Sequence, residues 1–271
     1  MSPLWRDEIG ILLAPRRLVF ARVSRGLRPR RLGSVFCDVP TGHFASWEPA
    51  LIALRAQLAE PDWRNANVRV IVADHWVRYM IVPWVPELHD EAERITHARH
   101  LLSQAYGEMD DWILTLGDAA PGKPVVATAL PGALLTGLMA DVEASGNHLI
   151  STQPHLAAAF NAAAPRLPRS PFWFVSVNEG SLAAAHVAAD GWDRVHAVRI
   201  GNDWNAELRR LRLFGRFASG NQNEEHVFVH APVWLRPAAN EHEDGLEWLN
   251  EDSPSDNTTV SQLTWLQAHN V

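Results

Sequence analysis

Residues 8–39 read EIGILLAPRRLVFARVSRGLRPRRLGSVFCDV. Three runs rich in apolar and β-branched residues, 9–14, 17–23 and 31–39, are separated by the turn-forming pairs Pro15-Arg16 and Arg25-Gly26. Because both connections are short, the three runs are predicted to form an antiparallel meander of strands.

A helix and a buried strand are predicted directly after this meander. Ser46 is placed to cap a helix whose apolar residues repeat at helical spacing, namely Trp47, Ala50, Leu51, Leu54 and Leu58. Residues 68–73 then form an apolar run that is typical of a strand buried on both faces. The combination predicts an α/β fold.

The rest of the chain repeats this alternation of strands and helices. The predicted strands are residues 77–84, 111–116, 125–130, 148–152, 172–177, 182–188, 192–199 and 227–229, and the predicted helices are residues 90–106, 132–144, 154–163 and 203–217. This order favours a duplicated architecture of two lobes. The first lobe is predicted at residues 1–146 with an inserted subdomain around 84–120, the second and shorter lobe at 147–239, and an acidic tail at 240–271.

Composition limits the classes of protein that the chain can belong to. Of its 271 residues 47% are apolar and 12 are Trp, which is enough apolar bulk for packed cores. Cys37 is the single cysteine, so no internal disulfide can form, and a reducing, cytoplasmic location is expected. The sequence contains no apolar run long enough for a membrane span or a signal core.

The net charge of −7 is concentrated near the C-terminus. Residues 240–256 contain seven acidic residues and no Lys or Arg, and the remaining acidic and basic residues balance. This segment is interpreted as a solvated, loosely packed tail, with docking of a basic partner as the alternative. Nucleic acid is not an expected partner.

Four stretches resemble the PilM family of type IV pilus assembly and its relatives GspL of type II secretion and MshI of the mannose-sensitive pilus. They are residues 77–84 with the helix that follows, residues 106–114, residues 124–160, and residues 173–203. The resemblance covers residues 8–235 and keeps the spacing between the four stretches. It implies the actin-like, ribonuclease H-like fold with a duplicated two-lobe architecture and a reduced second lobe.

The chain departs from this family where active members bind nucleotide. The first phosphate turn, expected at Gly10 and Leu12, contains apolar residues and Pro15, and the second has Asn178 and Glu179 before Gly180. His230-Ala231-Pro232-Val233 stands where the resemblance implies a glycine-rich adenosine turn, and Ser151-Thr152-Gln153 replaces Asp-x-Glu. Gly201 and Asn202 complete the degenerate positions. The departures together indicate a pseudo-ATPase with no cofactor.

Other kinds of chemical site have weaker support in the sequence. Glu93, His97 and His100 share one helical face, but a metal site needs a further ligand, so no metal is expected. His75 and His155 lie beside the ends of predicted elements, where capping or core hydrogen bonding is their ordinary role. Cys37 lies in an apolar strand, and no nucleophile motif accompanies it.

The leading hypothesis is a non-catalytic cytoplasmic scaffold at the inner face of the inner membrane, belonging to a type IV pilus or type II secretion-like machine. The resemblance implies protein partners, either the tail of an inner-membrane assembly protein or the assembly ATPase, and a homodimer is possible. One alternative is a divergent ATPase that uses Asp203, Asp190 or Glu179 as carboxylates. A second is a regulatory protein-binding module unrelated to pili.

A partner site is predicted beside residues 77–84 and the following helix, where the resemblance places the inserted subdomain. Tyr79 and Trp84 are the candidates for aromatic pockets, and Arg78 or Arg94 for contact with an acidic group. The alternative is that the two aromatic residues belong to the core.

Overall fold

The computed structural model describes residues 6–24, 30–40, 46–118, 120–178, 180–189, 191–200, 204, 206–210, 226–231 and 246–249. The described strands are β1 Glu8–Leu13, β2 Arg17–Val23, β3 Arg31–Asp38, β4 Asn67–Val72, β5 Arg78–Val82, β6 Trp112–Leu116, β7 Val125–Pro131, β8 His148–Pro154, β9 Phe172–Asn178, β10 Ser181–Ala188, β11 Gly191–Arg199, β12 His226–His230 and β13 Leu246–Trp248. The α-helices with complete bounds are α1 Glu48–Ala59, α2 Glu91–Tyr106, α3 Gly132–Ala144 and α4 His155–Ala163.

Two five-stranded sheets share one topology. The first has the strand order β3-β2-β1-β4-β8 and the second the order β11-β10-β9-β12-β13. In each sheet a three-stranded antiparallel meander is followed by two strands that run parallel to its first strand. This correspondence confirms the predicted duplication.

A third sheet is inserted into the first lobe between β4 and β8. Its three strands have the order β5-β7-β6 and are antiparallel. Ala98 and Leu102 of α2 are buried against residues of this sheet, including Val82 and Ala127. The inserted unit therefore extends from β5 to β7, beyond the predicted range of 84–120 at both ends.

Helix α4 lies between the two large sheets. Its Ala158 packs with Leu12 of β1 and Ile71 of β4 in the first sheet. Its Phe160 ring meets the ring of Phe174 on β9 of the second sheet, with centroids 5.4 Å apart. One helix thus contacts both sheets, so the position of its N-terminus determines which groups meet at their junction.

The predicted end of α2 at residue 106 agrees with the structure, whereas the predicted cap of α1 does not. Asp90 caps α2, since its Oδ1 accepts a hydrogen bond from Glu93 N at 2.8 Å, and Gly107 with φ of 90° ends the helix as predicted. The predicted Ser46 cap of α1 is wrong. Trp47 occupies the N-cap without a side-chain hydrogen bond, and the Ser46 hydroxyl bonds to the Glu48 carboxylate instead.

Two predicted boundaries also need correction. Strand β8 pairs in parallel with β4, so it belongs to the first sheet and not to a second lobe that begins at 147. Strand β13 pairs in parallel with β12, Leu249 is buried, and the ring of Trp248 lies 5.6 Å from that of Trp204. The prediction of a loosely packed tail from residue 240 is therefore wrong for residues 246–249.

None of the described helices combines the length with the apolar character that crossing a membrane requires.

Ending the chain after Gly245 is expected to destabilise the second lobe, whereas ending it after Asn250 keeps β13. The shorter chain loses the burial of Leu249 and the Trp248–Trp204 contact, which together are worth at least about 2 kcal/mol. Urea unfolding of the two chains measures the difference. Equal unfolding midpoints would show that β13 contributes nothing to stability.

Candidate functional site at the junction of the two lobes

A cluster of buried polar side chains lies where β4, β5, α4 and β9 meet. Its members are Asp74, Tyr79, His155 and Ser176, and the first three are 3%, 2% and 1% exposed. Burying a carboxylate costs free energy unless its oxygens are hydrogen-bonded. The contacts of Asp74 therefore organise the site.

Asp74 caps a helix that lies far from it in sequence. Helix α4 begins after Pro154, which supplies no side-chain cap. Asp74 Oδ1 accepts a hydrogen bond from Leu156 N at 3.0 Å and so satisfies one of the free N–H groups of the first turn. A carboxylate is also favoured by the positive end of the helix dipole. The end of β4 is thereby tied to the helix between the sheets.

Tyr79 supplies the second hydrogen bond to this carboxylate. Its hydroxyl donates to Asp74 Oδ1 at 2.5 Å, and the Tyr106 hydroxyl donates to the Tyr79 carbonyl at 3.1 Å. Burial raises the pKa of Tyr79 well above its ordinary value, and Asp74 raises it further, so the phenol stays protonated. Tyr79 is a core residue, and its predicted role as a partner-binding pocket is wrong because its side chain is buried.

His155 joins the second lobe to the cluster. Its Nδ1 lies 2.6 Å from Ser176 Oγ on β9 and 3.8 Å from Asp74 Oδ2. Its ring centroid is 5.4 Å from that of His230 on β12. Hydrogen bonding in the core, the role predicted for His155, is confirmed.

The Asp–His–Ser set has the composition of a hydrolase triad but not its geometry. In a triad the carboxylate and the serine contact opposite ring nitrogens of the histidine. Here Ser176 and Asp74 both approach Nδ1 of His155. Because His155 is also almost fully buried, the arrangement is that of a structural network.

The end of β1 and the β9–β10 turn, which carry degenerate nucleotide positions, lie at the same junction. Ala73 N donates to Leu13 O at 2.9 Å, which places the end of β1 beside the residue preceding Asp74. A Cβ atom on Gly180, whose φ is 81°, would lie 4.0 Å from His75 Nδ1, so the β9–β10 turn lies against the turn that follows β4. The junction therefore lies beside two of the turns at which the resemblance implies a nucleotide site.

Protein atoms cover three of the four described nucleotide positions. Gly10, Leu12 and Asn178 are buried, and Gly180 is half-buried. The amide nitrogen of Asn178 is buried without a hydrogen-bond partner in the described structure. Glu179, Gly201 and Asn202, together with Asp190 and Asp203, lie outside the described residues.

The described residues contain no group of three or more His, Cys, Asp or Glu side chains placed to hold a metal ion. On α2, the Glu93 carboxylate accepts a hydrogen bond from His89 N at 2.7 Å, and His100 contacts Gln104 at 2.9 Å. Glu93 and His100 therefore have local partners, one just before α2 and one on it.

Arg78 lies at the surface of the inserted subdomain between two aromatic rings. Its Cζ is 5.5 Å from the ring centroid of Tyr106 and 5.4 Å from that of Trp112. Burial lowers the pKa of Arg78, and the charge of Arg199 lowers it further, but an arginine remains protonated at neutral pH. Among the described residues, no carboxylate lies within ion-pair distance of it.

The other predicted partner-site residues lie near this subdomain's outer surface. Trp84 follows the end of β5 and is half-buried. Its side chain is therefore neither fully buried in the core nor fully exposed to solvent. Arg94 lies in the first turn of α2, and its Nε donates to Asp90 O at 3.2 Å. The sequence did not single out Tyr106 and Trp112 as partners of Arg78, because the contact joins three separate elements.

Replacing Tyr79 by Phe is expected to lower the free energy of unfolding by about 1–3 kcal/mol at neutral pH, because a buried acceptor on Asp74 loses its donor. The control is Tyr106→Phe, which removes a hydroxyl from a more exposed residue and should cost about 0.5–1.5 kcal/mol. Urea unfolding of both variants and of the wild type measures the two losses.

The same variants test the raised pKa of Tyr79. As the pH rises past about 10, the tyrosine ionises in the unfolded chain and stays protonated in the folded one, so the wild type loses stability. Tyr79→Phe lacks this loss, and its deficit should therefore shrink above about pH 10. A deficit that does not change between pH 7 and pH 10.5 would contradict a buried phenol.

Comparison with known proteins supports the fold. No protein-family model and no curated protein sequence matches the chain. A solved chain of a PilM–PilN type IV pilus biogenesis complex is 16% identical, with a TM-score of 0.66 over 90% of this chain and 88% of that one.

Two further solved structures resemble the chain over nearly its whole length. The cytoplasmic domain of EpsL, an inner-membrane component of the type II secretion system of Vibrio cholerae, is 13% identical, with a TM-score of 0.60 over 98% of this chain and 96% of that one. A Bacteroides thetaiotaomicron protein with an actin-like ATPase fold is 12% identical, with a TM-score of 0.61 over 96% of both chains. The chain therefore has the actin-like fold, with two duplicated lobes and a subdomain inserted in the first.

Proposed function

We propose that the chain is a non-catalytic scaffold that binds other proteins of a type IV pilus or type II secretion-like machine at the cytoplasmic face of the inner membrane. The observation that carries this proposal is the buried network of Asp74, Tyr79, His155 and Ser176, which fills the junction of the lobes with mutually bonded side chains. The fold is that of nucleotide-binding proteins, but Asp74 and Tyr79 at its centre are hydrogen-bonded to each other, as are His155 and Ser176.

Three features of the junction argue against phosphate binding. Leu12 and Leu13 are buried apolar residues at the first turn, where a phosphate needs donors. Asn178 is buried at the second turn, so its amide does not face a solvent-filled cleft. Asp74 adds a carboxylate that would repel a phosphate at short distance if ionised. The chain is accordingly assigned no cofactor and no catalytic residue.

The surface of the inserted subdomain supports binding of a protein partner. Arg78 is a half-buried guanidinium that two aromatic rings hold in place. A cation in this setting has already lost much of its water and gains more from a carboxylate than an exposed arginine does. Tyr106, whose ring contacts Arg78, is itself an exposed aromatic side chain that offers apolar surface beside the guanidinium.

The structural neighbours support an assembly protein of the inner membrane as the class of partner. PilM is solved in complex with PilN, and EpsL is an inner-membrane component of its secretion system. The proposed ligand is a short segment of an inner-membrane assembly protein that contains acidic residues. Its carboxylates would bind Arg78 or Arg94, and its apolar side chains would pack on Trp84. The assembly ATPase is the second class of partner.

We expect Arg78→Gln to weaken binding of such a segment at least tenfold, because one charge-assisted hydrogen bond is worth about 1.5–3 kcal/mol. The probes are synthetic peptides of the cytoplasmic segments of single-span membrane proteins encoded beside this chain's gene, titrated by calorimetry. Trp84→Ala is the second variant. Arg210→Gln, on the second lobe and exposed, is the matched control and should leave the affinity unchanged.

A double-mutant cycle identifies the contact directly. If Arg78 binds a peptide carboxylate, then replacing that Asp or Glu by its amide should have little further effect on the Arg78→Gln variant. Two outcomes would place the partner site elsewhere. In the first, the losses of affinity from the peptide change and from Arg78→Gln are additive. In the second, Arg78→Gln and Trp84→Ala both keep full affinity and unchanged melting temperatures.

A further inference from the structure

Strand β3 forms one edge of the first sheet in the described part of the chain, because the sheet order begins with β3 and continues to β2. The Phe36 side chain on this strand is 43% exposed, and the Asp38 side chain is 82% exposed. Exposed edge strands carry unpaired backbone groups and are templates for pairing with another strand.

The hydrogen-bond pattern shows which backbone groups face outward. Val39 N donates to Arg16 O at 2.8 Å, which fixes the alternation of bonded and non-bonded pairs between β2 and β3. In this alternation Cys37, Val35 and Gly33 bond to β2. The N–H and C=O groups of residues 34, 36 and 38 point away from β2 and toward the open edge.

A bulge limits the regular part of this edge. The pairing of β3 with β2 shifts between Arg22 and Val23, where Gly33 and Arg31 are successive partners and Leu32 is the extra residue. Bulges interrupt strand pairing and protect edges. The regular segment available for pairing is therefore residues 34–38.

We propose that residues 34–38 pair antiparallel with the same residues of a second copy of this chain, about a twofold axis through Phe36. In this register the two Phe36 rings adjoin on one face of the joined sheets, where aromatic cross-strand pairs are favourable. Ser34 of each copy lies directly opposite Asp38 of the other, so each hydroxyl can donate to a carboxylate.

Charge complementarity reinforces the same register. Arg31 extends along the face that carries Ser34, since its guanidinium donates to Ser34 Oγ at 2.5 Å. In the proposed dimer the Asp38 carboxylate of the second copy lies opposite Ser34 and contacts the Arg31 guanidinium. Each dimer therefore contains two Arg31–Asp38 pairs, one at each end, as an isologous interface requires.

Other registers satisfy the strand less well. A shift by one residue turns the opposed side chains to opposite faces of the sheet. Centring the pair on Asp38 would oppose two carboxylates, and centring it on Ser34 would extend the pairing into the bulge at Leu32. A five-residue contact is small for a protein interface, so the dimer is expected to be weak and dependent on concentration.

The test is sedimentation equilibrium of the full chain over micromolar to sub-millimolar concentrations. The wild type should show a monomer–dimer equilibrium. Arg31→Glu and Asp38→Lys should each weaken self-association at least tenfold, because each places like charges at both ends of the interface. An equimolar mixture should recover dimerisation, because the heterodimer has one Glu–Lys end and one Asp–Arg end.

Two controls separate this interface from a folding defect. Each variant should keep a melting temperature near that of the wild type, since the Asp38–Arg17 contact that one of them loses is a surface pair. Phe36→Pro removes an outward N–H without removing a bond to β2, so it should abolish dimerisation in a folded chain.

A wild type that stays monomeric over the whole concentration range would overturn the proposal. This includes a wild type whose β3 edge pairs only with strands of other proteins. A mixture of the charge variants that associates no more tightly than either variant alone would also overturn it, as would a Phe36→Pro chain that dimerises like the wild type.

Discussion

The carboxylate of Asp74 is the interaction on which the arrangement of the molecule depends. It lies at the end of β4 in the first sheet, and it bonds the first turn of α4 and the hydroxyl of Tyr79 on the inserted subdomain. His155 begins α4 and reaches Ser176 in the second sheet. One buried acceptor thus connects the first lobe, the insertion and the helix between the lobes, and its neighbour extends the connection to the second lobe.

This network gives a physical reason why the fold and nucleotide chemistry can separate. The duplicated sheets bring the ends of β1, β4, β9 and β12 together whatever residues those ends carry. Donors and glycines there would leave room for phosphate, whereas the described ends carry buried apolar residues and polar side chains that are bonded to one another. In the proposed scaffold, the exposed parts of the molecule serve recognition, namely the Arg78 surface and the edge of β3.

The sequence predicted those parts of the fold that local pattern determines. The meander, the parallel-sheet strand β4 and the Asp90-to-Gly107 limits of α2 follow from turn residues, apolar runs and capping chemistry within a few positions. Membership of β8 in the first sheet depends on pairing with a strand some 80 residues away, which no local pattern shows. Strand β13 was not predicted, because the acidic residues around it are typical of a solvated tail. The apolar residues Leu246, Trp248 and Leu249 are too few to indicate a strand by local pattern.

The sequence predicted segments that lie near the junction but not the residues that organise it. The sequence marks the turns at Leu12 and Asn178 as departures from a nucleotide site. Nothing local in the sequence singles out Asp74, the residue that organises their surroundings. Its importance comes from Leu156, Tyr79 and burial, all of which depend on tertiary structure. Trp84 and Arg78 remain predictions as partner contacts, while the burial of Tyr79 reflects a core that strand alternation alone did not reveal.

The most direct measurement is a calorimetric titration of the folded chain with magnesium-ATP. A junction filled by the Asp74 network should give no saturable heat at nucleotide concentrations up to about 1 mM, which corresponds to binding weaker than about −4 kcal/mol. Saturable binding tighter than about 100 μM, or roughly −5.5 kcal/mol, would show that the junction opens to nucleotide and would contradict the account.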